Sequence, residues 1–272
     1  MKAISAIIII GTAFFVAWTR YRLKLWERSI QSWEDELLHA PRYNLSQNPK
    51  QSWDDLPPVV QRYLTKALRT PDGRPASSPI IQSVQFSQEG SFQTDPSNPW
   101  TTFTAEQVIS ANPPGFVWDA SVAIFPSFPR WPMFQVCDAW TNGHATLKVA
   151  LMQVLDVPLL PTNEKYPEHS YKVDKAIESG EAMRWMAEIF MVPTALLPGQ
   201  GLFSWSPVIS QDGDLMQNQA RLHLSDPFQP LMESLVVTFD EETDLPSQVE
   251  GYRPKWIHTA ESFEMTDWVG YF

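Results

Sequence analysis

Hydrophobic positions follow three regimes along the chain. Ala3 to Trp18 (AISAIIIIGTAFFVAW) carries no charge, residues 80–155 and 203–268 break into short apolar runs with alternation, and residues 173–197 repeat at helical spacing. A segment buried in hydrocarbon must satisfy its own backbone groups, so the first run reads as a helix. At ~1.5 Å per residue it spans about 24 Å, close to the ~30 Å core of a bilayer. The stems of Arg20, Arg22 and Lys24 extend it by snorkelling. Val16-Ala17-Trp18-Thr19-Arg20 offers no small-x-small cleavage site, so residues 1–19 are expected to stay as a single-pass transmembrane anchor. The basic cluster on its C-terminal flank puts the domain on the cytoplasmic side by the positive-inside bias. The lone Cys137 excludes an internal disulfide, which fits that compartment.

Residues 20–54 read as a juxtamembrane helix and linker. Leu23, Trp26, Ile30, Trp33 and Leu37 fall at helical spacing, for a helix that either lies along the membrane interface or folds back on the domain. Residues 55–272 read as a β-rich globular domain. It opens with a helix over 56–68, capped by Asp54 or Asp55, with Pro57 and Pro58 in the first turn where no N–H is needed. Strands are expected at 80–92, 100–110, 115–125, 134–140 and 144–155, and Asn142-Gly143 marks a two-residue hairpin because both residues tolerate positive φ. Residues 175–197 form a helix apolar around much of its circumference, ended or kinked by Pro193. Five further strands follow at 203–210, 215–224, 231–239, 248–253 and 257–268. The fold class expected is α+β: a curved antiparallel β-sheet wrapped around a buried helix, preceded by an N-terminal transmembrane helix.

Charge changes this picture in one respect. The chain carries −11, but its first thirty residues hold five bases against one acid, which leaves −15 on the remainder. An acidic body excludes nucleic acid as a partner, since phosphate binding needs a basic face. It also lets the basic stretch touch anionic headgroups while the body stays off them. The 24 prolines punctuate the chain into short extended pieces, and 12 Trp with 15 Phe supply a large apolar interior or the lining of a cavity.

Motifs for catalysis are scarce. The five histidines show no metal-ligand spacing, so no metal is expected. No phosphate-cradling glycine loop and no G-x-S-x-G elbow occurs, so no cofactor and no catalytic serine are assigned. Glu188, set among Met186, Ala187, Ile189 and Phe190, either pairs with Arg184 one turn back or faces a pocket. Asp138 in its strand has the same two outcomes, Asp119 is placed on the solvent face, and Cys137 reads as a small buried residue.

Four segments carry a resemblance: LPPVVQRYLTKAL, FTAEQVISANPPGFVWDASV, VCDAWTNGHATLKVAL and GEAMRWMAEIFMVPTALLPG. With the apolar N-terminus, they resemble a family of uncharacterised membrane-anchored proteins known only as a domain of unknown function. The resemblance implies no activity. It also suggests a C-terminally truncated member, since the family pattern continues beyond the strand at which this chain stops. Lipoprotein carriers are similar in plan to a sheet curled round a helix. The function expected is therefore binding of a lipid or other hydrophobic ligand at the bilayer, lined by Trp118, Trp140, Trp185, Glu188, Phe190 and Trp205. A membrane-anchored hydrolase using Glu188 and Asp138 with His144 nearby, and a protein-binding scaffold, are the alternatives.

Overall fold

A computed structural model describes residues 2–43, 51–68, 81–93, 98–123, 134–152, 154–157, 170–224, 234–257 and 262–271. The side chains of residues 2–9, with half of the apolar run, lie outside the description, as does most of the linker at 44–50. The fold is α+β, and among the described residues it is built from two antiparallel sheets and three α-helices. Helix α1 covers Lys2–His39, α2 Pro58–Leu68 and α3 Ser170–Glu188. Among the described residues no helix is long and apolar enough to cross a membrane.

The first sheet is a six-stranded meander: β1 (Ser83–Phe92), β2 (Thr101–Ser110), β3 (Gly115–Val122), β4 (Phe134–Thr141), β5 (His144–Leu151) and β6 (Leu155–Asp156). Asn142 and Gly143 form the expected hairpin turn between β4 and β5, with φ of 50° and 81°. The second sheet runs in the order β11-β10-β9-β8-β7, from β7 (Phe203–Ile209) through β8 (Leu215–Leu224), β9 (Ser234–Phe239) and β10 (Pro246–Ile257) to β11 (Ser262–Tyr271). The expected single sheet is thus two sheets. The chain leaves β6 for α3 before starting β7, and among the described residues β6 pairs only with β5 and β7 only with β8.

Helix α3 contacts both sheets, through β3, β4 and β5 of the first and β9, β10 and β11 of the second. It is shorter than the periodicity predicts. After Glu188 the chain tightens into two 3-10 turns, Ile189–Met191 and Pro193–Leu196, because Pro193 has no N–H to continue an α-helical ladder. Around these turns Trp185, Phe190 and Trp205 join Tyr63 of α2, Phe116 and Trp140 of the first sheet, and Phe203, Leu222 and Phe239 of the second in one apolar core.

The outer face of the first sheet is covered by α1, the fold-back outcome for residues 20–39. Trp26, Ile30 and Leu37 recur every turn or two on one stripe and pack on Val108, Val117, Cys137, Ala139 and Ala150. Arg22 pairs with Asp156 at 2.6 Å, and Asn142 donates to Glu36 at 2.6 Å. Gly115 permits the close approach: a Cβ there would stand 2.7 Å from Leu37 Cδ1 and 2.3 Å from the Trp140 carbonyl. The stretch of α1 before Arg22 differs. Ile10, Phe14, Phe15 and Tyr21 are each more than half exposed.

Candidate functional site: a carboxyl-lined cleft beside α3

Helical spacing sets Ile177, Glu181, Arg184 and Glu188 along one side of α3, three or four residues apart. Strand alternation turns Trp118 and Asp138, which are partners across β3 and β4, toward that helix, while their neighbours Asp119 and Cys137 face α1. The two sets meet at a cleft of about 420 Å³. Its apolar wall is Leu147, Ala176, Ile177, Met183 and Trp268; its polar wall is Asp138, Glu181, Arg184 and Glu188, with Arg253 of β10 beside them. This volume falls among those of small-molecule sites, about 300–1,000 Å³.

Arg184 organises the polar wall. Its Nε donates to Glu188 Oε1 at 2.9 Å and its Nη1 donates to Asp138 Oδ2. The guanidinium lies 4.6 Å from the Phe116 ring centre and 5.2 Å from that of Trp118, and both distances fall within cation–π range. Glu188 accepts a second hydrogen bond at 2.5 Å from Gln107 Nε2. Gln107 in turn accepts from Gln88 at 3.0 Å, and Gln88 accepts from Trp118 Nε1 at 2.8 Å. Glu188 is therefore held from two sides, and its pairing with Arg184 is the one its i,i+4 spacing anticipates.

Among the described residues, two oxygens on this wall have no donor from any third side chain. Asp138 Oδ1 and Glu181 Oε2 are both buried without such a partner. Burial pushes the Asp138 carboxyl up, against the pull of Arg184. Glu181 is pushed up to about 8, first by burial and then by the charge on Asp138. At neutral pH Glu181 thus keeps its proton and donates it toward Asp138, which relieves an acceptor that would otherwise be costly to bury. Burial draws Arg184 down, but Glu188, Asp138 and Glu181 more than reverse this, so the guanidinium stays charged.

The six residues expected to line a site separate into two groups. Glu188 lines the cleft, and Trp118 stands over Arg184. Trp140, Trp185, Phe190 and Trp205 lie in the core, where Trp185 is 5.5 Å from Trp140 and stacks at 5.5 Å on Phe203. Phe190 and Trp205 pack at 6.2 Å, and Trp205 reaches Phe239 at 6.4 Å. His144 is exposed at the β4–β5 hairpin, 3.4 Å from Glu178, and does not line the cleft. Asp119 is not on the solvent face: it lies under α1, where Trp26 Nε1 and Gln135 Nε2 donate to it at 3.1 and 2.9 Å. Cys137 is wholly buried, and burial pushes its thiol up, so no nucleophile forms there.

Sequence reasoning does not single out Glu181, Arg253 or Trp268. Glu181 has a signal, because it stands three residues before Arg184 and seven before Glu188 on a face that also carries Ile177. Arg253 and Trp268 come from β10 and β11, and only the packing of the second sheet against α3 brings them there.

Two antiparallel sheets about a central helix, with a polar cleft at one side of that helix, define the class: an α+β domain built on consecutive antiparallel strands. The chain belongs to the family of unknown function DUF6920, whose model matches residues 54–272. No curated protein and no solved structure matches it.

Proposed function

We propose that this protein binds a lipid or another amphiphilic molecule in the cleft beside α3, at the surface of a membrane to which the first half of α1 holds it. One observation carries the reading: the lining of the cleft beside α3 divides between aliphatic and indole side chains, Leu147, Ile177, Met183 and Trp268 among them, and charged ones, Asp138, Glu181, Arg184 and Glu188. An amphiphile matches that division, since its chain meets Leu147, Ile177, Met183 and Trp268 while its head meets the carboxyls. The exposed apolar turn of Ile10, Phe14 and Phe15 supports the membrane attachment, because apolar side chains grouped this way are covered by a partner or by lipid. The basic residues after the apolar run favour the cytoplasmic side.

Native mass spectrometry after mild detergent extraction tests this. The expected result is a co-purifying amphiphile that is lost in Leu147→Trp, which fills the cleft from a part-exposed position. Repeated absence of any ligand from the wild-type protein sinks the proposal. Acid–base hydrolysis is a second reading, favoured by Glu181, a carboxyl that holds its proton beside the Arg184-bound pair Asp138 and Glu188. Ester turnover that vanishes in Glu181→Gln would establish it.

A further inference from the structure

Attachment of the first half of α1 to a bilayer is the reading on which this step rests; the course of the same helix across the first sheet says which part of the domain meets the lipid. Contacts along α1 fix its direction. Arg22 is bonded to Asp156 of β6, and the Lys148 ammonium of β5 stands 5.0 Å from the Trp26 ring centre. Asn142 of the β4–β5 hairpin donates to Glu36, and Leu37 lies against Gly115 at the start of β3. In that order the contacts pass from one end of the strands, where Leu151 and Leu155 are partners, to the other, where Ser110 and Gly115 are partners. The lengths agree: Arg22 to Leu37 rises about 22 Å as a helix, and Leu151 back to His144 covers about 23 Å as a strand. Because α1 is one α-helix from Lys2 to His39, its stretch before Arg22 continues past the Leu151–Leu155 end.

That end is apolar at its tips. Trp100 stands immediately before β2, Met152 in the β5–β6 turn and Leu155 at the start of β6, and each is more than half exposed. Trp100 belongs to this end because the pairs Phe103–Val122, Val122–Phe134 and Phe134–Leu151 carry one level across the sheet. At the opposite end Leu38, Tyr43 and Ile81 are each less than half exposed. Leu155 adjoins Asp156 and so stands level with Arg22, one residue after Tyr21 and one turn after Trp18. Trp18 and Tyr21 pack at 6.3 Å, an aromatic pair of the kind that settles among lipid headgroups. Arg20 and Lys24 flank them, exposed and without an ion pair among the described residues. Glu27 offsets one of these charges and Arg22 already neutralises Asp156, which leaves the junction cationic and suited to anionic lipid. We infer that this end of the first sheet, at Trp100, Met152 and Leu155, docks into the headgroup layer of a bilayer containing anionic lipid, so that the domain stands end-on upon it.

Site-specific fluorescence of the full-length protein in phosphatidylcholine–phosphatidylglycerol vesicles tests this. Trp100→Cys, Met152→Cys and Leu155→Cys each place an environment-sensitive label at the docking end, His144→Cys places one on the exposed hairpin at the far end, and Phe14→Cys reports the attachment itself; the buried Cys137 stays unlabelled. Lipids spin-labelled near the headgroup are expected to quench labels 100, 152 and 155 and shift their emission to the blue, leaving 144 unchanged. Adding Leu155→Asp should lower the quenching at 152, to which a label merely tethered near lipid would not respond. Quenching at 14 without quenching at 100, 152 and 155, as when a protein covers that end instead, overturns the docking and leaves the attachment intact. Quenching at 144 as strong as at the other end, or at 152 unmoved by Leu155→Asp, also overturns it. Absence of quenching at 14 and at the three tips overturns both.

Discussion

Two aspartates one strand apart show what a buried carboxyl does on either face of the same sheet. Asp119 of β3 points toward α1 and Asp138 of β4 toward α3, and burial pushes both carboxyls up. Asp119 meets two neutral donors, an indole N–H and an amide, on a helix and strand packed together at that point. Asp138 meets a guanidinium, a second carboxyl and a cleft, and keeps one oxygen that only a shared proton can reach. The first arrangement is complete within the protein and so describes a structural join. The second leaves a buried carboxyl oxygen whose need for a donor is met within a pair of acids, beside a cleft.

The largest test of the contrast is on the α1 side. Trp26→Ala removes a buried indole and the donor to Asp119, and the expected loss is about 3–5 kcal/mol, read by urea denaturation. With Trp26 gone, α1 should also become cleavable by protease near Glu27 to Trp33 at concentrations that spare the wild type. An undocked α1 with unchanged stability would show that the outer face contributes nothing to the domain.

On the cleft side, Arg184→Ala leaves Asp138 and Glu188 without their cation. Breaking a buried pair from one side costs ~3–5 kcal/mol, and because a quarter of the Arg184 side chain is exposed we expect about 3. Denaturation in parallel with Arg184→Met checks it. If the methionine variant is as stable as the wild type, the ion cluster adds no stability and is retained for another reason.

Glu181→Gln isolates the proton. The carboxyl ionises near its usual 4.5 in the unfolded chain and near 8 in the folded one. Between those values the unfolded chain binds fewer protons, so the contribution of Glu181 to stability falls as pH rises from 4.5 through about 8 and is level outside that window. Glutamine is neutral throughout. The variant should match the wild type near pH 5 and exceed it at pH 9 by about 2 kcal/mol or more, since each tenfold change in proton affinity is worth ~1.4 kcal/mol. Thermal melts across that range measure it, and parallel curves for the two proteins would remove the shared proton.

How far the two sides are legible in the sequence follows from the range of their contacts. The α1 stripe of Trp26, Ile30 and Leu37 is a local periodicity, and so are the hairpin at Asn142-Gly143 and the Arg184–Glu188 pair; each can be read within a dozen residues. What covers the stripe is not local. A reading of β3 alone puts Asp119 in solvent, because its donor Trp26 is 93 positions away. The split into two sheets is hidden for the same reason. Strand patterns report which segments are extended, not which strand stays unpaired beyond β6 and β7. The aromatic residues read equally well as a lining or as a filled interior, and Trp185 against Trp140 and Phe203 is the second.

Asp119→Asn is the substitution with the smallest expected effect. It keeps an oxygen for Trp26 and Gln135 while removing a charge whose carboxyl is pushed up by burial, so the two changes oppose each other. Weaker neutral hydrogen bonds cost stability, on the order of 1 kcal/mol, and loss of a desolvated charge returns a similar amount above the range in which Asp119 titrates. Net stability at pH 7 should stay within about 1 kcal/mol of the wild type. Glu34, which burial and then the Asp119 charge push up, should move back toward its ordinary value, a change that carboxyl-resolved NMR titration can follow. Asp138→Asn has no such balance. It weakens the Arg184 bond and the acceptor for the Glu181 proton together, so a loss there no greater than in Asp119→Asn would mean that the two faces of the sheet hold their carboxyls in the same way.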